Sequence, residues 1–238
     1  MTEPVRLSKR LIELIHCSRN EADQYIQGGW VLVDGVVVDA PQFRVQEQTV
    51  ELHPDAVLAP IEPMTILLHL PTGFDVNDPA APLKLIVPEN RSENDSSGFR
   101  LLNRHFARLM PTMPLEAGGT GLLAFTQDHR VVKRLVEDAA KNEQEYHVEV
   151  TGEIVENGLD KLNRNMKQNG WPLPVAKVSW QNEHCLRFAL KNVRIGQFDF
   201  MCESVGLTVV AMKRIRIGRV PMSLPPGQWR YLPHGILF

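Results

Sequence analysis

Residues 30–39, WVLVDGVVVD, allow few local structures. Two valine-rich runs flank Asp34-Gly35, and β-branched residues favour extended backbone. Asp and Gly in sequence readily adopt the positive φ angles of a tight two-residue turn. The pattern therefore predicts a β-hairpin that turns at Asp34-Gly35.

Two short helices are predicted before this hairpin. Ser8 opens the first, where apolar residues at 11, 12, 14 and 15 form a stripe of helical period. Ser18 and Glu21 have the spacing of a capping box, in which each side chain satisfies a backbone N–H at the helix start. Gly28 and Gly29 favour a helix end. We therefore expect residues 1–60 to fold as a helix-helix-hairpin domain, followed by a proline-rich linker at 54–63.

The remaining residues, 61–238, mix strand and helix patterns without regular alternation, which indicates an α+β domain. Strands are predicted at 64–71, 144–152 and 207–220, with a two-stranded hairpin at 176–192. Helices are predicted at 99–110, 129–141, 158–170 and 197–206, and residues 72–98 are predicted to be a long polar loop.

Composition excludes several classes of protein. No apolar run approaches the roughly 18 residues needed to span a bilayer, and the first ten residues do not resemble a signal peptide. The three cysteines form no CxxC pair and the eight histidines lack metal-ligand spacing, so we expect no metal site. Residues 117–121, AGGTG, lack the lysine of a nucleotide-binding loop. A cytoplasmic monomer is the simplest expectation, with any nucleic-acid contact coming from local patches because the net charge is only −2.

Residues 5–38 resemble the small RNA-binding domain named after ribosomal protein S-four. The matching positions are Ser18, Arg19, Ala22, Ile26, Val31, Val33, Asp34 and Gly35. The resemblance implies that RNA phosphates and sugars are contacted by Arg6, Ser8, Lys9, Arg10, Arg19 and Asn20. Charge alone leaves an ordinary mixed surface equally possible, because nearby Glu and Asp residues cancel these cations.

From residue 62 onward the chain resembles the bacterial pseudouridine synthases of the RsuA/RluF type, which modify ribosomal RNA. This resemblance implies a mixed, mainly antiparallel sheet. It is carried by the closing stretch at Met201, Gly206, Arg214, Ile217, Gly227, Trp229, Arg230 and Leu232, and by the strand QEYHV with its Tyr146.

The family detaches uracil from its sugar, turns it and rejoins it through carbon, after the base has left the RNA stack. This chemistry needs no metal or organic cofactor, so the resemblance implies none. An aspartate reacts, a tyrosine stacks on the base, and an arginine pairs with the aspartate. Aligned on Gly-Leu-Leu at 121–123, the aspartate position holds Glu116 and the preceding arginine position holds Pro114. Asp199 stands at the position of the arginine that is expected to pair with the acid, whereas the stacking tyrosine is retained as Tyr146.

These replacements predict a weakened site. One added methylene moves a carboxylate by about 1 Å, which can cost roughly 100-fold in rate. A like charge in place of an ion-pair partner raises the pKa of a carboxyl group, and a protonated acid is no nucleophile. The first hypothesis is therefore an RNA-binding pseudoenzyme on a pseudouridine synthase scaffold, acting on ribosomal RNA or a ribosomal precursor. Its RNA contacts would include Lys213, Arg214 and Arg216, in a stretch that could also be an ordinary solvated strand edge.

Two alternatives remain. The protein could be an active synthase that uses Glu116, or a protein-interaction module in ribosome assembly that docks through the polar loop at 75–98.

Overall fold

The computed structural model describes residues 3–74, 78 and 80–238. The chain divides into two compact units, one formed by Met1–Pro63 with Phe99–Leu109 and the other by Met64–Gly98 with Met110–Phe238. Residues 75–77 and 79 of the predicted polar loop lie outside the described residues. No helix in the described part of the chain is long and apolar enough to cross a membrane.

The first unit has the predicted order of helix, turn, helix and hairpin. Its elements are β1 (Val5–Arg6), α1 (Leu7–Ile15), α2 (Arg19–Gln27), β2 (Val31–Val33), β3 (Val36–Val37), β4 (Arg44–Val45) and β5 (Val50–Leu52). β3, β2 and β5 form one antiparallel sheet, and β1 pairs with β4. Its core contains Leu7, Leu11, Ala22, Ile26, Val31, Val33, Val45 and Val50.

Several local predictions in this unit are confirmed. Ser18 and Glu21 form both hydrogen bonds of the capping box, at the start of α2. Asp34 and Gly35 both have positive φ, at 50° and 77°, as the tight turn between β2 and β3 requires. The first helix differs from the expectation, because it begins at Leu7 and Ser8 lies within it rather than preceding it.

Residues 99–110 do not form the predicted α-helix. They contain one 3₁₀ turn, Asn103–Phe106, and residues 99–109 belong to the first unit. Contacts within that unit determine their path: the Arg100 guanidinium lies 3.8 Å from the centre of the Trp30 ring, and Asn103 donates backbone and side-chain hydrogen bonds to Asp39. These contacts stabilise an irregular segment that its helical periodicity did not predict.

The second unit is built on a nine-stranded mixed sheet. Its elements are β6 (Thr65–Leu70), β7 (Met110–Thr112), β8 (Thr120–Thr126), α3 (His129–Val132), β9 (Glu143–Gly152), α4 (Gly158–Leu162), β10 (Lys167–Gln168), β11 (Trp171–Pro172), β12 (Ala176–Asn182), β13 (Cys185–Lys191), α5 (Gln197–Glu203), β14 (Leu207–Ile217), β15 (Val220–Pro221) and β16 (Trp229–Tyr231). The main strand order is β12-β13-β9-β14-β8-β6-β16, with β15 beside β14 and β7 beside β8.

Every named pair in this sheet is antiparallel except β14 with β8. This confirms the expected α+β class and the mainly antiparallel sheet. The predicted hairpin is β12 and β13, and the predicted short helix is α5. The predicted helix at 158–170 is shorter, because α4 ends at Leu162 and the chain then forms the small hairpin of β10 and β11.

Candidate active site and RNA-binding surface

Glu116 lies in the loop between β7 and β8, at the start of a tight turn. The N–H of Gly119 donates to the carbonyl oxygen of Glu116 at 2.9 Å, and Gly118 has a φ of 75°. The turn leads into Gly121, where a side chain would come within 2.8 Å of the Arg214 backbone nitrogen. The glycine-rich sequence after Glu116 therefore allows the chain to pack closely against β14, and it places Glu116 just before the start of β8.

The Glu116 carboxylate is held by the backbone rather than by a cation. Its Oε2 accepts a hydrogen bond from the N–H of Gly196, the residue that precedes α5, at 2.9 Å. Its Oε1 is buried and has no hydrogen-bond partner among the described residues. A buried carboxylate oxygen without a donor is costly when the group is ionised.

The pKa of Glu116 is raised. Burial is the largest cause, and the negative charge of Asp199 adds to it, while the hydrogen bond from Gly196 acts in the opposite direction. Asp199 is exposed in the first turn of α5. The negative charge of Asp199 therefore acts against ionisation of Glu116, with a smaller effect than burial has.

Tyr146 lies on β9, directly across from Phe188 of β13 and Arg214 of β14. It is only 5% exposed, and its ring centre is 4.8 Å from that of Phe198 on α5. Its hydroxyl donates to Gln144 Oε1 at 2.9 Å. A uracil could stack on this ring only after the ring became more exposed.

Arg214 supplies the guanidinium of this region, and it bonds neutral oxygens. It is 1% exposed, and it donates to the carbonyl oxygens of Leu122 and Met113 at 2.8 and 2.7 Å. A further bond reaches Gln144 Oε1 at 3.1 Å, and the Tyr146 hydroxyl lies 3.5 Å away. Arg214 therefore joins β14, β8 and β9 and positions Tyr146.

This burial corrects the expectation that Arg214 lies on an RNA-contacting surface, since its donors are used inside the fold. Arg216 differs from the expectation in the same way. It is half-buried and pairs with Glu143 at 2.5 Å and Glu145 at 2.6 Å, so its charge is neutralised locally. The strand sequence KRIRI predicted the charges, but the acceptors that hold two of them come from β8, β9 and the loop after β7.

Lys213, the third predicted basic residue on β14, is half-buried. It lines an open groove with His69 and His147. Burial lowers the pKa of both histidines, and the charge of Lys213 adds to that effect. No group of three metal-ligating side chains occurs among the residues that the structure describes.

The predicted RNA-contacting residues of the first unit are mostly on its surface. Arg6, Lys9, Arg10, Arg19 and Asn20 are exposed. Ser8 is buried, at 8% exposure, because it packs within α1. The structure therefore leaves five of these six side chains accessible and removes Ser8 from the exposed set.

Comparison with known proteins accounts for both units. Residues 5–50 match the model of the S4 domain. An uncharacterized RNA pseudouridine synthase of Aquifex aeolicus is 29% identical over 233 residues, which cover 96% of this chain and 92% of that protein. The dual-specificity RNA pseudouridine synthase RluF of Escherichia coli is 26% identical over 238 residues, covering 96% and 75%.

Over nearly its whole length the chain is therefore similar to RNA pseudouridine synthases of the RsuA/RluF type. A solved pseudouridylate synthase matches the fold with a TM-score of 0.59 at 20% identity, over 96% of each chain. The resemblance inferred from short motifs is therefore confirmed, and the fold of the pseudouridine synthases is the fold of this protein.

Proposed function

We propose that this protein binds ribosomal RNA through a pseudouridine synthase scaffold and that its uridine isomerisation is lost or severely weakened. The observation that carries the proposal is the setting of Glu116. Its carboxylate accepts a hydrogen bond from the N–H of Gly196 and is repelled by the like charge of Asp199. No cation is among the groups that set its pKa.

This setting disfavours nucleophilic chemistry. The reaction needs an ionised acid that can reach the sugar or the base of a flipped uridine. Burial and Asp199 both favour the protonated form of Glu116, and the Gly196 hydrogen bond holds Oε2 toward α5. Tyr146, the expected stacking partner, is covered by Phe198 and bonded to Gln144.

The exposed cations of the first unit support RNA binding that does not depend on catalysis. We propose a structured RNA partner, contacted by Arg6, Lys9, Arg10, Arg19 and Asn20, and a protein that acts as a monomer in the cytoplasm. The unpaired state of all three cysteines is consistent with a reducing compartment.

Pseudouridine mapping of ribosomal RNA from a strain that lacks the gene tests the proposal. We expect the map to be unchanged, because the protein would bind the RNA without modifying it. Loss of one pseudouridine, restored by the wild-type protein but not by Glu116→Ala, would show an active synthase that uses Glu116.

A gain-of-function variant tests the physical cause. Glu116→Asp combined with Asp199→Arg restores the shorter acid and an opposite charge, and we expect its turnover to exceed that of the wild type by about 100-fold or more. Turnover is measured as release of tritium from the uridine carbon that becomes bonded to the sugar. Glu116→Asp and Asp199→Asn alone serve as controls, because neither restores the ion pair.

A further inference from the structure

Residues 161–177 form an exposed basic segment that neither the sequence motifs nor the candidate active site uses. The segment contains Lys161, Arg164, Lys167 and Lys177 and no Asp or Glu, in a chain whose net charge is −2. All four cations are exposed. With the exposed Asp160 that directly precedes the segment, the four cations leave a local net charge of +3, which makes a local electrostatic patch of the kind that binds phosphates.

Trp171 lies within this segment and is 73% exposed. A single exposed apolar side chain needs no explanation, but two further large apolar side chains are exposed, one in this segment and one in the chain bonded to it. Val175 and Ile195 are also exposed, and the carbonyl oxygen of Pro174 accepts a hydrogen bond from Gln197 Nε2 at 3.1 Å. This bond links Pro174, which directly precedes Val175, to Gln197, which lies two residues after Ile195.

The segment is held firmly in place. Asn163 donates to the carbonyl oxygen of Val178 and accepts from its N–H, at 2.9 and 2.8 Å, and the buried Leu162 and Leu173 anchor its interior. The tip turns at Asn169 and Gly170, which both have positive φ and so form a tight hairpin directly before Trp171. The indole is therefore presented by an ordered backbone, which lowers the entropy cost of binding.

Gln197, which donates the hydrogen bond to Pro174 of this segment, is also next to the candidate active site. Gln197 is the first residue of α5, and the N–H of Gly196 just before it binds the Glu116 carboxylate. An RNA strand on residues 161–177 would therefore pass close to Glu116.

We propose that residues 161–177 bind a single-stranded stretch of RNA, with Trp171 stacked on an unpaired base and the four cations on its phosphates. This inference rests on the proposed RNA-binding function and adds a second contact surface to it. An aromatic ring stacks only on a base that is not inside a duplex, so the surface selects single-stranded RNA.

Binding of a short fluorescein-labelled oligouridine to the full-length protein tests the proposal. Trp171→Ala is expected to weaken binding about 5- to 150-fold, the range measured for loss of one stacked base. Trp171→Phe retains an aromatic ring and is expected to keep most of the affinity. A fully paired RNA duplex is expected to bind Trp171→Ala and the wild type alike.

The cations are tested by salt dependence. Replacing Lys161, Lys167 and Lys177 by glutamine is expected to reduce the slope of log affinity against log salt by about 0.7 for each phosphate that the variant no longer neutralises. Lys84→Gln with Lys133→Gln removes charge from two other exposed lysines and is expected to leave the slope unchanged. Circular dichroism checks that each variant is folded.

Two outcomes would overturn the proposal while leaving the proposed function intact. One is that Trp171→Ala binds RNA with wild-type affinity, whereas the double variant Lys9→Glu with Arg19→Glu loses binding. The other is equal weakening in Trp171→Phe and Trp171→Ala, which would show that stacking is not involved. Failure of the wild type to bind any RNA would instead reject the proposed function itself.

Discussion

At the scale of the single residue, Glu116 is a half-buried acid whose ionisation the fold opposes. Its raised pKa means that the folded state binds the proton more tightly than the unfolded state does. The stability that Glu116 contributes through this tighter proton binding is fully present below the pKa that Glu116 has in the unfolded state. It is lost as the pH rises through the pKa that Glu116 has in the folded state. We therefore expect Glu116→Gln to match the wild type in acid and to become the more stable protein toward neutral pH. Urea unfolding followed across this pH range measures the difference.

Glu145 provides a control of opposite sign. Its pKa is lowered chiefly by hydrogen bonding to Arg216, with a further hydrogen bond from Arg187. Its contribution is present above the unfolded pKa and is lost as the pH falls, so Glu145→Gln should be less stable than the wild type at neutral pH, by a margin that shrinks in acid. A Glu116→Gln difference that does not change with pH, or that resembles that of Glu145→Gln, contradicts the assigned burial of Glu116.

At the scale of the element, the approach of β8 to β14 depends on Gly121. These strands pair in parallel at only two positions, and Gly121 lies opposite Arg214 with a φ of 100°. A methyl group there would meet the Arg214 backbone, so we expect Gly121→Ala to reduce the free energy of unfolding by about 2 kcal/mol or more. Gly118→Ala separates the causes, because Gly118 also has positive φ but faces open space, and should cost only about 1–2 kcal/mol. Equal losses in both variants would show that steric contact with β14 is unimportant.

Elements defined by local chemistry could be predicted from the sequence, and those defined by distant contacts could not. The capping box at Ser18, the turn at Asp34-Gly35 and the hairpin of β12 and β13 depend on neighbouring residues, and the structure confirms each. Residues 99–110 have helical spacing, but contacts to Trp30 and Asp39 stabilise another path. Arg214 was predicted to face RNA for a similar reason: the carbonyl oxygens that bury it are about 90 and 100 residues away in the chain.

The candidate site shows the same division. A short motif singled out Glu116, Tyr146 and Asp199, and the charge of Asp199 is one of the causes that raise the pKa of Glu116. The hydrogen bond from Gly196 and the packing of Phe198 on Tyr146 could not be predicted, because each depends on how α5 packs against the sheet. The basic segment with Trp171 was visible in the composition of residues 161–177, where cations occur without acids, but its exposure was not.

At the scale of the whole molecule, a net charge of −2 means that RNA affinity must come from patches rather than from overall attraction. The first unit exposes Lys9 on α1 and Arg19 on α2. We expect Lys9→Glu with Arg19→Glu to weaken binding of a structured ribosomal RNA fragment and to reduce the salt slope by about 1 for each phosphate that is no longer neutralised. Filter binding at several salt concentrations measures both quantities.

The matched control is Lys84→Glu with Lys133→Glu, which changes the net charge by the same amount at exposed positions of the second unit. If overall charge governed binding, both double variants would lose the same affinity, whereas a local patch predicts loss only for Lys9 and Arg19. Because both of these side chains are exposed and outside the core of the first unit, the urea midpoint should stay close to that of the wild type. Unchanged affinity in a folded Lys9→Glu, Arg19→Glu protein would show that this face of the S4 domain does not contact the RNA, and binding would then have to come from the second unit.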